Sequence, residues 1–373
     1  MDCDILVVGA GPAGSMAAKT AAEKNENVVL INRNKKIGYP VRCAEGINKF
    51  LFRDTGIKKD DSFIEQIIDG TKIHFYDEAY DLKTDQWRGY TINRTIFDKY
   101  LAIEAEKAGA KLLTATKAVG MKRKGNRWLI KTKSEKGLDQ IETKIVIGAD
   151  GVECNIGRWA GISRNWKENE VCKCYELFLK CPNISEDNNF HIAFGEEFPM
   201  GYAWIFPKNK KANVGVGVTP KKSAKNALHF FINKYPGVET LIGENYSLIE
   251  KRGGSIPTAG PKDVNEIIYD GIIVVGDAAG MVDPITGEGI CPSMISGISA
   301  GETALLCLEK NNWDKENLNE YQQRWMRKRY INTTLGDNMK ELLELREIVY
   351  TIFSKNINKS EREDFVSMIQ NSL

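Results

Sequence analysis

Residues 4–9, Asp-Ile-Leu-Val-Val-Gly, form an apolar run that breaks into the turn Gly9-Ala10-Gly11-Pro12-Ala13-Gly14. An unbroken apolar run is the pattern of a strand buried on both faces of a parallel sheet. The alanine-rich stretch Ala13 to Glu23 reads as a helix, and Val28–Ile31 as the next buried strand, so a βαβ unit closes by residue 31. Glycines at these spacings permit a tight turn and let a pyrophosphate come close to the backbone. The helix start then offers N–H donors and the positive end of its dipole. The six-residue pattern is weak alone. Between a strand and a helix it predicts a dinucleotide site built on Gly9, Gly11, Pro12, Ala13 and Gly14. The second strand ends in Asn32-Arg33, where an acidic residue is expected. A carboxylate would accept two ribose hydroxyls, whereas the amide accepts one and donates another. The departure bears on the ribose contact of Asn32 and Arg33, not on the fold.

Three further motifs stand elsewhere along the chain. Val274-Val275-Gly276-Asp277-Ala278-Ala279-Gly280 ends another buried strand. Asp277 there can bond a ribityl hydroxyl while the chain turns at Gly276. Asp283-Pro284-Ile285-Thr286-Gly287-Glu288-Gly289-Ile290 leads into a helix. With Gly287, Gly289 and Ile290 at its start, that helix would face the N1/C2=O edge of a flavin, where reduction gathers negative charge. The remaining two motifs are Ala149-Asp150-Gly151, with Arg158 beyond it, and Asn93-Arg94 before Phe97-Asp98-Lys99-Tyr100-Leu101.

Between these motifs the chain changes character. Lys72–Tyr80 alternates polar and aromatic residues, Arg94–Lys107 is an amphipathic helix, and Trp128–Lys133 and Ile141–Gly148 are strands. Residues 171–255 carry several strand-like runs and one helix near Ser223–Lys234, the pattern of a separate antiparallel sheet. A small-residue helix runs to about Leu308, and the last 60 residues are helical and charged.

Charged residues are 27% of the chain, yet the net charge is +2, so no global field points to nucleic acid. The basic runs Arg33–Lys36, Lys122–Lys124 and Lys208–Lys211 read as solvated surface, with an anionic substrate or a membrane surface as the alternative. No apolar run reaches the roughly 18 residues of a spanning helix. The apolar start Ile5–Ala13 is short and lacks a basic flank, so an intracellular protein with eight mostly reduced cysteines is expected. No C-x-x-C pair occurs, which argues against a zinc site or iron–sulfur cluster. Cys172 and Cys174 fall on one strand face and Cys181 on the other. His74, His191 and His229 lie outside every motif and are given no catalytic role.

The four motifs in this order resemble the flavoprotein superfamily of para-hydroxybenzoate hydroxylase, over residues 1–50, 90–160 and 270–308. A narrower resemblance is to the geranylgeranyl reductase family. Gly38-Tyr39-Pro40-Val41-Arg42-Cys43-Ala44-Glu45-Gly46-Ile47 is similar to a loop of that family. Tyr202-Ala203-Trp204-Ile205-Phe206-Pro207, then Val214-Gly215-Val216-Gly217, matches its Y-x-W-x-F-P…G-x-G signature. The resemblance implies a Rossmann-type FAD-binding domain (1–70, 90–165 and 265–310). It also implies an inserted antiparallel β-sheet substrate domain (71–89 and 166–264) and a helical C-terminal region (311–373).

It further implies FAD contacts by Arg42, Cys43, Ala44, Arg94 and Asp150, with Cys43 near the flavin ring and a candidate proton donor. Tyr202, Trp204, Phe206, Pro207 and Gly215 are expected at the substrate. By itself the alternating strip reads as core packing or as the wall of an apolar tunnel. The implied reaction saturates C=C bonds of geranylgeranyl chains on lipids, as in archaeal membrane lipid synthesis. The alternatives are a flavin monooxygenase, an electron-transfer dehydrogenase and a non-catalytic flavin or lipid binder. With one glycine turn for a nucleotide, the electron donor stays open among ferredoxin, a deazaflavin and NAD(P)H. A cytoplasmic enzyme touching the membrane surface transiently is expected, with Asn317–Arg329 and Gly336–Ser354 as a docking face or as a scaffold.

Overall fold

The N-terminal apolar run lies in the strand Asp2–Val8, and its neighbours explain why its buried side chains from Ile5 to Val8 are apolar. It pairs in parallel with Gln140–Gly148 on one side and Val28–Ile31 on the other. Ile272–Val274 and Lys111–Leu113 extend the same parallel sheet outward. Arg127–Ser134, Thr116–Lys124 and Ile268–Tyr269 add antiparallel pairs at its margins. In this computed structural model, residues 1–24, 27–135, 137, 139–330 and 358–372 are described. They divide into two units. The first is Met1–Pro40, Thr95–Trp166 and Gly260–Asn332, and the second Val41–Arg94, Lys167–Ala259 and Thr333–Leu373. Residues 41–70, grouped by the sequence with the nucleotide-binding part, fall in the second unit.

In the first unit the helices Pro12–Ala22 and Ile290–Glu309 cross almost without side chains between them. A Cβ on Gly297 would run into the Ala13 carbonyl, and one on Gly301 would lie 2.8 Å from the Ala17 carbonyl oxygen. The Ile290–Glu309 helix is, among the described residues, long and apolar enough to cross a membrane, with mean hydropathy 1.3. However, the helix is mostly buried inside the protein, the state of a core helix. The polar helix Glu320–Tyr330 buries Tyr321 and Trp325. It also bonds Glu302 of the long helix through Lys328, at 2.5 Å. The first half of the expected docking face is thus engaged as a scaffold; Gly336–Ser354 lies outside the described residues.

The second unit is built on a seven-stranded sheet in the order Ser247–Pro257, Val171–Lys180, Lys211–Val218, Ala203–Lys208, Asn189–Phe194, Gly70–Phe75, Glu78–Leu82. All pairs are antiparallel except Asn189–Phe194 with Gly70–Phe75. A three-stranded sheet of Gly46–Asn48, Gly89–Ile92 and Ile64–Ile68 belongs to the same unit. The period of two separates the faces of the large sheet. On one face Leu179, Ala193, Ala203, Ile205, Val214 and Val216 bury against the helix Ala224–Lys234. That helix starts where the Ser223 hydroxyl accepts the Asn226 N–H, a standard N-cap. The other face carries Tyr202, Trp204 and Phe206, away from that core.

Candidate active site

On the first unit, the predicted nucleotide residues converge. Gly9 has φ +110°, a conformation that favours glycine, and a Cβ there would strike the Ala149 carbonyl. Gly14 lies against the Gly9 carbonyl, so the helix can begin immediately behind the turn. Gly11 differs: a Cβ there would meet nothing within 4 Å. It is the N-cap of Pro12–Ala22 and supplies no side-chain cap to the first turn of the helix. Asp150 follows the strand beside Gly9. One of its carboxyl oxygens accepts the Ile156 N–H at 3.0 Å, and the other is buried with no partner among the described residues. Burial raises its pKa.

Gly276 has φ +63° and touches Ala13, where a Cβ would come within 2.9 Å of the Ala13 Cβ. Gly289 lies over Asp277, 3.6 Å from its Oδ1 by the same measure, and is the N-cap of the long helix at Ile290, with no side chain of its own to cap it. Gly287, φ +72°, is held by Asp283, whose carbonyl accepts its N–H at 2.9 Å. Asn32 braces the turn, with its Oδ1 accepting the Ala10 N–H at 3.4 Å and its Nδ2 donating to the Asn34 carbonyl at 2.9 Å. Arg33 is exposed and pairs with Glu153 at 3.3 Å. A bare helix start, open space over Gly11 and an orphaned buried carboxyl oxygen fit a nucleotide pyrophosphate and its sugars.

On the second unit, Arg42 is exposed, while Cys43 and Ala44 are half-buried. The Cys43 sulfur accepts the Glu45 N–H at 3.2 Å. Burial pushes the Cys43 thiol up against the pull of Arg94, so the thiol is protonated near neutral pH. Glu45 sits at φ 68° with its carboxylate enclosed. One oxygen takes the Arg94 backbone N–H at 2.9 Å; the other takes Lys208 Nζ at 2.7 Å and the Arg252 guanidinium at 2.8 Å. Burial alone would raise the Glu45 pKa, but Lys208 and Arg252 outweigh it and hold the carboxyl below its usual range. Lys208 therefore does not belong to a solvated basic run, because a buried counter-charge draws it inside.

Replacing Glu45 by Ala strands two buried cations, and a loss of about 3–5 kcal/mol is expected, read as a lower urea midpoint. The sign with pH follows from the depressed pKa. The contribution is complete above the ordinary carboxylate range and is lost as pH falls through the folded value. In Glu45→Ala that acid-side loss should vanish.

The aromatic strip forms a continuous wall. Phe206, Trp204, Tyr202, Phe194, Phe75 and Tyr80 follow one another at ring-centroid spacings of 6.4, 6.0, 6.1, 5.8 and 5.9 Å. Trp204 is paired with Gly215 across the strands, and a side chain at Gly215 would collide with the indole. This explains the glycine of the signature: the ring lies over it. Trp204 Nε1 donates to Asn213 Oδ1 at 2.9 Å. Gly46 admits the Phe206 ring, which a Cβ there would approach to 2.9 Å. Pro207 is within the strand, and its carbonyl accepts the Thr91 hydroxyl at 2.7 Å. The missing N–H of Pro207 costs no ladder bond, because pairing with Asn189–Phe194 stops at Ile205.

Sequence pattern does not single out Glu176 or Asn213, yet the register sets both beside this wall. Glu176 and Trp204 both pair with Gly215, from opposite sides. His74 and His191, 2.9 Å apart with Asp187 behind them, lie on the opposite face.

A helix start left open over a glycine turn, in a parallel sheet that carries a second such start, defines the class of FAD-dependent oxidoreductases. The family described as FAD binding domain matches residues 2–328. The chain is 40% identical over 330 residues to a digeranylgeranylglycerophospholipid reductase of Methanocaldococcus jannaschii, covering 88% of this chain and 83% of that protein. It is 36% identical over 365 residues to the protein of the same name in Methanothrix thermoacetophila, covering 96% and 90%. A geranylgeranyl bacteriochlorophyll reductase-like structure from Thermoplasma acidophilum aligns with TM-score 0.79 at 29% identity, covering 95% of this chain and 92% of that one. The chain belongs to the digeranylgeranylglycerophospholipid reductase family of FAD-binding proteins.

FAD is its cofactor, and the purified protein is expected to be yellow. Heat or acid should release intact FAD, since no cysteine or histidine lies in a motif for covalent attachment. Release of FMN, or of no flavin, would contradict the assignment.

Proposed function

We propose that the protein reduces C=C bonds in the geranylgeranyl chains of lipids, with FAD as the hydride carrier. The observation that carries this is the six-ring aromatic wall on the sheet face opposite the helix Ala224–Lys234; the Phe75 and Phe194 end of the wall packs into a second apolar cluster with Ile73, Leu82 and Val366. A prenyl chain has no polar handle, so shape and apolar area must hold it, and a row of contacting rings supplies both. The nucleotide half is assigned to the glycine turn, Asp150, Gly276–Asp277 and the Gly289–Ile290 helix start. Arg42, Cys43, Ala44 and Arg94 are assigned to the flavin side. Bound there, reduced FAD supplies a hydride for an alkene carbon. The chain's own task is to align the prenyl chain along Tyr202, Trp204 and Phe206 and to keep water away from it. The substrate is a membrane lipid, so a transient contact with the bilayer surface belongs to this reading.

The test is reduction of a geranylgeranyl lipid by the holoenzyme with dithionite as electron source, followed by mass spectrometry. A gain of two hydrogens per bond is expected. An unchanged lipid in the presence of bleached flavin would sink the proposal.

A further inference from the structure

Saturating an alkene takes a proton as well as a hydride, and the seven-stranded sheet carries an acid placed for the task. Glu176 lies in the middle of Val171–Lys180, directly across Gly215 from Trp204. Its Cβ is 2.8 Å from where a Gly215 side chain would begin, so the glycine opens the space that the carboxyl and the indole share. The residue is 3% exposed. Its Oε1 is buried with no hydrogen-bond partner among the described residues, while the Asn213 side chain and the Cys43 backbone approach the carboxyl. A buried carboxyl oxygen without a partner is costly in the ionised form, and far less so in the neutral acid.

The geometry points to Glu176 as the acid that protonates the alkene, an inference that rests on the prenyl-reductase reading. A hydride from the reduced cofactor forms one C–H bond. The O–H bond of Glu176 breaks, and its proton takes the alkene π pair to form the second. The cofactor is left oxidised, and the Glu176 carboxylate is reprotonated from water before the next cycle. The acid is poised for this, because burial raises its pKa to about 7. The charged and titratable groups facing it are Arg252, which opposes that rise, and Glu45, which adds to it, with the protonated thiols of Cys43 and Cys174 beside them. Arg252 is itself held by Glu45 and Glu250, so the nearest cation is engaged elsewhere.

Glu176→Gln keeps the shape and removes the transferable proton. FAD content and reduction by dithionite should be unchanged and KM for the geranylgeranyl lipid should hold, while kcat falls about 10²-fold or more. The wild-type rate should decline as pH rises through about 7, and the variant should lose that limb. An independent readout is the infrared carboxylic-acid C=O band of the protein without substrate, expected in the wild type below that pH and missing from the variant. Wild-type kcat in Glu176→Gln, or no difference in that band, would overturn the inference. Should the variant not fold, a wild-type rate that is flat across that pH overturns it equally. If the wild type itself fails to reduce the lipid, the functional reading has failed, and the infrared band still reports whether Glu176 is a neutral acid.

Discussion

Gly11→Val is expected to give a folded protein that holds no FAD. Gly11 is the glycine of the turn where a Cβ would meet no atom of a non-neighbouring residue within 4 Å, so the fold is expected to accept the substitution. The space it fills lies at the start of Pro12–Ala22, where a pyrophosphate needs close approach to the backbone. The measurement is the flavin-to-protein absorbance ratio after gel filtration, with circular dichroism to confirm folding. Gly14→Ala is the informative contrast. A Cβ at Gly14 runs into the Gly9 carbonyl, so that variant should lose stability and flavin together. Stoichiometric FAD in a folded Gly11→Val protein would show that the nucleotide lies elsewhere.

Trp204→Ala is expected to keep FAD and its reduction while losing most prenyl reduction. The residue is on the seven-stranded sheet, and the glycine turns of the nucleotide site are on the other unit. An indole supplies about 150–250 Å² of contact to a chain that offers nothing polar to grip, and a misplacement near 1 Å can cost about 10²-fold in rate. A fall of that order in kcat/KM with dithionite as reductant is expected, with the flavin spectrum unchanged. Trp204 also bonds Asn213 and is 5% exposed, so a cost in stability accompanies the loss. Gly215→Ala offers a check without removing the ring: its Cβ displaces the indole and should lower the rate similarly. Wild-type kinetics in both variants would make the strip plain packing.

How much of this was legible before folding differs from residue to residue. The parallel strands and the glycine turn were, because burial on two faces and close backbone approach each leave a local pattern. The Y-x-W-x-F-P…G-x-G signature was visible too, but not its reason. Only the register shows that Gly215 is paired with Trp204 and Glu176. The Glu45–Lys208–Arg252 cluster was not legible as a cluster, because its members lie far apart in sequence; Glu45 stood in the Gly38–Ile47 loop with nothing local to show its partners. Lys208 in particular sits in a lysine-rich stretch, and only a distant carboxylate turns it inward. Glu176 was hidden likewise, as a polar residue on a strand normally faces water, whereas here both faces of the sheet are covered at its position.

The bare seam between Pro12–Ala22 and Ile290–Glu309 has a consequence for how this protein tolerates change. The two helices that begin at Gly11 and Gly289 are braced through Gly297 and Gly301, so they behave like the tines of one fork. One added methyl at either glycine should wedge the handle and splay the tips, to which the nucleotide is assigned. Affinity for FAD is therefore adjustable at positions two and three turns along the helix from its ligand end. A screen for flavin retention should find its most sensitive silent-looking sites there, at two glycines that carry no side chain of their own.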